Sequence, residues 1–307
     1  MKKYLLLFVL FGEFLMSACF NEDEIHAELG TYKRDYDTTS TDPVWKYVSQ
    51  YYYKFAKMII VDPDSSDYLF NFQYKHDVYM VKPSQEPEHL LKVLTFMKEM
   101  FLDGYSDDVK KNLFPYAILF ADTIKNTYKN EYVDIYTTTY YIAFSVDDKK
   151  LNMSEEEKVK LSMQWNNKFL SYCTEKIGWT VPEEFYLYSD AEYGKKENWL
   201  LVFCPYEEGK ADEPGDINLV WEKGYPIGKW DWNYDLNGEK VWGYSLSSSR
   251  EGYLNKFFEF LFTTPQETID KAIADHEKLR KAHDILDQAL KDDFGINYRT
   301  MVYKAKK

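Results

Sequence analysis

The chain has 307 residues, 45% of them hydrophobic and 18% aromatic, with 51 acidic against 38 basic side chains and a net charge of −13. That much apolar content over this length excludes wholesale disorder and removes any need for disulfide staples. The acidic balance excludes a nucleic-acid binder, and three cysteines without a CxxC pair exclude a disulfide framework or a zinc ribbon.

Residues 1–18 open on Lys2 and Lys3, continue through an apolar run and end on Ser17-Ala18, the three parts of a secretory signal. The apolar run is too short to span a bilayer and is interrupted by Glu13. A small pair followed directly by Cys19 resembles the lipobox of bacterial lipoproteins, which implies that Cys19 becomes the acylated first residue of the mature chain. Acyl chains there would anchor the protein, each buried methylene contributing about 0.8 kcal/mol. Residues 19–41 read as a polar tether. Its acidic cluster, Glu22-Asp23-Glu24, is similar to the surface-export signal of some Gram-negative bacteria and fits a solvated linker equally well. The expected location is the outer membrane, on its exposed surface.

From residue 42 to 307 the pattern is that of one folded domain. Asp42-Pro43 is an N-cap followed by proline, opening a helix to about Tyr53. Residues 67–74 alternate, with Phe70, Phe72 and Tyr74 on one side, and predict a strand. Pro87 starts an amphipathic helix whose apolar positions include Leu90, Leu91, Leu94, Met97 and Phe101. Residues 115–124 and 132–146, rich in β-branched and aromatic side chains, read as strands. Ser154 and Glu157 form a capping-box pair for a helix to about Cys173. Residues 199–203 make a short apolar strand, and 204–243 read as loop, carrying Trp221, Trp230, Trp232 and Trp242. Thr264 and Glu267, with Pro265 between them, predict a second capping box and one long helix that Gly295 ends. Strands and helices mix without regular βαβ alternation, so the expected class is α+β.

The chemistry-bearing residues are sparse. His276 and His283 stand seven apart, roughly on one helix face, where packing is the plainer reading than a zinc bridge. Asp293-Phe294-Gly295 is a helix ending, because none of the other kinase motifs accompanies it. Cys173 and Cys204 could pair or stay free. The four tryptophans either stack on sugar rings through exposed indole faces or seal the core beneath a long loop.

The order of several segments resembles a family of candidate zinc-binding metallopeptidase lipoproteins encoded beside starch-utilisation-type outer-membrane transporter genes. Residues 70–76, Pro83, and the helix over 88–105 are similar to that family's opening strand, proline and amphipathic helix, and 115–120 and 133–144 to its next strands. Further matches are Gly243-Tyr244-Ser245-Leu246-Ser247-Ser248-Ser249-Arg250-Glu251, residues 257–262 and 263–270, and Asp293-Phe294-Gly295-Ile296. The resemblance implies a zincin-like fold for residues 42–307. It also places the family's HExxH helix just before Pro182-Glu183-Glu184-Phe185. In the register that keeps Phe169, Asn167 and Ser171 take the two histidine positions and Lys168 the position of the glutamate base. The family's downstream acidic segment falls on Glu251 and Asn255. Amide and hydroxyl oxygens are poor zinc ligands beside imidazole, and a lysine cannot replace a carboxylate base. No histidine lies between His89 and His276 to restore the site.

The resemblance thus implies a related scaffold with no catalytic residues, no metal and no cofactor. The expected role is a non-catalytic binding or accessory component of a nutrient-uptake system. Its partners would be the membrane, outer-membrane transporter components, and an extracellular glycan or peptide. Two alternatives remain: a carbohydrate-binding lipoprotein using the tryptophans, and an active hydrolase with a site built from scattered carboxylates.

Overall fold

Asp42 caps the first helix, α1 (Pro43–Phe55), by accepting the backbone N–H groups of Val44 and Trp45 at 2.8 and 3.1 Å. The computed structural model describes residues 36–69, 78–189, 201–202, 214–234, 240–247, 249–301 and 303. The signal segment, Cys19, most of the tether, residues 70–77 and Cys204 lie outside these. Residues from Thr38 onward form one compact unit.

The central sheet has the order β1 (Met58–Ile60), β3 (Ala117–Ala121), β7 (Tyr141–Ser145), β6 (Ile135–Thr137). Its first three strands run parallel and β6 runs antiparallel to β7. β1, β3 and β7 are buried along their whole length, as unbroken apolar runs require when both sheet faces are covered. A second sheet joins β2 (Val78–Val81), β4 (Thr123–Asn126) and β5 (Glu131–Tyr132), all antiparallel. The third is the antiparallel set β8 (Leu201–Val202), β10 (Lys240–Ser245), β9 (Lys229–Tyr234). Separate sheets combined with packed helices make the class α+β, as expected.

Several predicted boundaries are corrected. The segment 115–124 is two strands, because the chain leaves the central sheet at Asp122, whose N–H donates to Val81 O at 2.8 Å, and continues in the second sheet. The segment 132–146 is three short strands, broken where Thr138 Oγ1 accepts from the backbone N–H groups of Tyr140 and Tyr141. Where 67–74 predicts a strand, Ser65–Tyr68 is instead a helical turn, α2. Asp64 and Asp67 cap each other's backbone there, and that local pairing overrides the alternating pattern. The rest of that predicted strand lies outside the described residues.

Helix α3 (Pro87–Met100) buries Leu90, Leu94 and Met97 but leaves Leu91 exposed. After the short helices α4 (Asp107–Asn112) and α5 (Asp148–Leu151) comes α6 (Glu155–Tyr172), whose Ser154–Glu157 capping box forms as predicted. One face of α6 inserts Trp165 and Phe169 into an aromatic cluster. Phe169 lies 4.9–5.5 Å from the rings of Phe101, Tyr105 and Phe114, and Trp165 lies 4.8 Å from Phe144.

The stretch 204–243 is less loop-like than its prolines suggest. It holds α7 (Asn218–Glu222), β9 and the start of β10. Helix α8 (Arg250–Thr263) follows, capped by Ser249 Oγ, which accepts from Gly252 N at 3.0 Å. The predicted single C-terminal helix is two, α9 (Gln266–Asp275) and α10 (Glu277–Phe294). The Thr264 capping box does not form, since Pro265 holds the cap position without a side-chain bond. The break falls at His276, whose backbone is extended. Gly295 does end α10 in the left-handed conformation, at φ 61°. A last turn, α11 (Tyr298–Met301), follows.

Candidate functional site

Helix α6 turns two different faces to its surroundings. Asn166 is wholly inside: its side chain accepts from Tyr105 OH at 2.6 Å and donates to Ser162 O at 2.7 Å. Ser162 Oγ in turn donates to Met100 O and accepts from Tyr303 N. This satisfied network fixes the rotation of the helix. One residue on, Asn167 and Ser171 share the next face, four residues apart. Ser171 Oγ donates to Asn255 Oδ1 on α8 at 3.1 Å. Asn167 Oδ1 is buried and has no hydrogen-bond partner among the described residues. Lys168 is exposed and does not join them.

At its end α6 widens into a π turn, Cys173–Ile177, closed by Gly178 at φ 78°. Such turns recur at functional sites because the extra residue re-aims side chains. Here it carries Thr174, Glu175 and Lys176 to the wall of an open groove of about 520 Å³. Trp179, Thr180, Tyr186 and Glu251 complete the wall, with buried Leu254 beside them. Glu251 lies one helical turn before Asn255. The structure therefore brings Ser171 and Asn255 into contact, sets Glu251 in the adjoining groove, and leaves Asn167 half-buried one turn away, its Oδ1 turned inward. Sequence reasoning missed Trp179, Tyr186 and Glu175. The only local signal was an aromatic residue directly after a helix-ending glycine.

These donors do not fit the zinc that the family resemblance implies at this position. They offer amides, a hydroxyl already bonded to Asn255, and one exposed carboxylate. Among the described residues, no three His, Cys, Asp or Glu side chains are grouped so that they could hold a metal ion. His276 and His283 do not share a helix face, because the break separates them. His276 Nε2 pairs with Asn218 Oδ1 at 3.1 Å, while His283 is buried with Nε2 3.0 Å from Tyr298 OH. Cys173 is a buried free thiol, and burial pushes its pKa up, so it is no nucleophile at neutral pH.

The tryptophans divide. Trp221 is 6% exposed and its indole N–H donates to Pro226 O at 3.0 Å, so it seals the core and offers no ligand surface. Trp230, Trp232 and Trp242 do share one face of the third sheet. Trp232 pairs across from Trp242, Trp230 across from Tyr244, and the rings of Trp230 and Trp242 lie 6.3 Å apart and nearly parallel. Of the three, Trp232 is the most open, at 43% exposure.

A separate charged cluster sits at the carboxyl ends of β3 and β7. Lys150 Nζ is 2.9 Å from Asp134 and donates to Ser145 Oγ at 3.2 Å, so the serine oxygen accepts from the amine. Nearby, burial raises the Asp122 pKa. Asp147 and Asp148 raise it further, and His89 and Lys150 offset part of the rise. A carboxyl whose folded pKa exceeds its unfolded value binds more protons when folded, so stability falls as pH rises through that window. Asp122→Asn is expected to raise the thermal midpoint at neutral pH, with the gain shrinking as pH falls toward about 4. A lower midpoint at neutral pH would contradict the assignment.

No family model matches the sequence, and no curated protein matches it. Among solved structures, the chain is similar to the crystal structure of a candidate zinc-binding metallo-peptidase from Bacteroides caccae, with a TM-score of 0.48 and 9% sequence identity over 87% of this chain and 92% of that chain.

Proposed function

We propose that the chain is a lipid-anchored, surface-exposed binding or accessory component of a nutrient-uptake system for glycan or peptide, on a metallopeptidase-like scaffold without its zinc chemistry. The observation that carries this reading is the state of the three α6 positions where the resemblance puts HExxH. Asn167 is an amide, the Ser171 hydroxyl is held by Asn255, and Lys168 points to solvent. None of these can polarise a water molecule as a metal-bound site does. The anchoring rests on the signal features of residues 1–18 and on Cys19.

The test is a turnover assay on the purified full chain in detergent, against a mixed peptide library and a polysaccharide panel. No cleavage is expected from either. Cleavage lost on mutating one specific carboxylate would replace this reading with that of a hydrolase. For the anchor, Cys19→Ser is expected to release the protein from the membrane fraction, and retention there would contradict lipidation.

A further inference from the structure

A guanidinium already sits at the edge of the α6–α8 groove. The Arg250 side chain lies over the Tyr186 ring, 4.9 Å from its centre, and its Nη1 is 2.7–2.8 Å from the Glu183 carboxylate oxygens. An aromatic face plus a carboxylate is the pairing that recognises an organic cation, through the ring quadrupole and a charge-assisted hydrogen bond. The groove repeats that pairing. Trp179 and Tyr186 supply rings, and Glu175 and Glu251 supply carboxylates that have no ion-pair partner among the described residues. Trp179 is fixed in place by its indole N–H donating to Asp293 at 2.9 Å and by packing 4.8 Å from the Phe294 ring. Among the described residues of the lining Lys176 is the only cation, against the two carboxylates of Glu175 and Glu251, on a chain of net charge −13. Both charges draw cations inward.

We propose that this groove binds an organic cation, a guanidinium or alkylammonium group, with its charge on Glu251 and Glu175 and its apolar stem against Trp179. The proposal deepens the reading of the chain as a binding protein and rests on it. The source of the cation is either a basic side chain in a peptide or a free diamine, which share this chemistry.

The experiment is calorimetric titration of the full chain in detergent with two probes, a capped Gly-Arg-Gly tripeptide and putrescine, with a capped Gly-Glu-Gly tripeptide as the anionic control. At least one cation is expected to bind and the control not to. The tighter of the two identifies the source. Glu251 is exposed and outside the hydrogen-bond network of the helices, so Glu251→Gln leaves the fold intact; it is expected to weaken binding about fivefold or more. Lys176→Gln is expected to tighten it, and Trp232→Ala, on β9 and outside the lining of the groove, to leave it unchanged. Absence of binding by both probes, or an affinity indifferent to Glu251→Gln, would overturn the groove assignment and leave the non-catalytic reading standing. Mass spectrometry of the recovered tripeptide separates the two claims, since a cleaved probe would overturn the non-catalytic reading instead.

Discussion

Replacing Phe169 by alanine is expected to cost about 3–5 kcal/mol of folding stability, read as a lower denaturation midpoint in urea. The ring is fully buried between α6 and the segments that follow α3 and α4. It touches Phe101, Tyr105 and Phe114 edge-on, geometry that contributes about 0.5–1.5 kcal/mol per pair beyond the buried area. Those three rings already pack against one another, with centres 5.1–5.5 Å apart, so they have little freedom to move into the vacated volume and the cost lies in the upper range for such changes. A loss below about 1 kcal/mol would mean that the cluster is not the core of the domain.

Gly224→Ala is expected to be comparably damaging for a different reason. Gly224 has φ 79°, and a Cβ there would stand 2.0 Å from the carbonyl oxygen of Tyr188. The left-handed backbone alone costs a non-glycine residue about 1–2 kcal/mol, and the steric conflict adds about 1–3 kcal/mol because backbone, not a flexible side chain, is in the way. The Gly224 carbonyl also accepts from Tyr253 OH at 2.8 Å, so a shift there disturbs α8 below the groove. The variant should unfold at lower denaturant than wild type and lose the groove's probe binding. Wild-type stability would show that the close approach to Tyr188 is not made in solution.

What could be read from the chain is what local chemistry decides. Asp42-Pro43, the Ser154–Glu157 pair and Gly295 mark their helix ends by side-chain or backbone geometry within a few residues, and all three form. Helix α8 has a local mark at its start, the Ser249 cap, but no periodic pattern along its length. Its buried residues, among them Tyr253, Leu254, Phe257, Phe258, Phe260, Leu261 and Phe262, surround the axis, so no polar face sets a period. The departure of the chain at Asp122 was equally silent, since its cause is a bond to Val81, far away in sequence. The same distinction governs the site. The resemblance assigned Asn167, Ser171, Glu251 and Asn255 to positions of one degenerate motif, but Trp179 and Tyr186 line the groove with Glu251 only through tertiary packing. Nothing local in the sequence distinguishes Trp221 from its neighbours, because the bond of its indole N–H to Pro226 O depends on the turn between them.

The most direct measurement is the zinc content of the purified full chain after dialysis against zinc-buffered solution, by elemental mass spectrometry. Oxygen donors from Asn167, Ser171, Asn255 and a solvent-facing Glu251 should leave far less than one ion per chain. One firmly retained ion per molecule, with peptide hydrolysis that a chelator abolishes, would contradict the account at its centre.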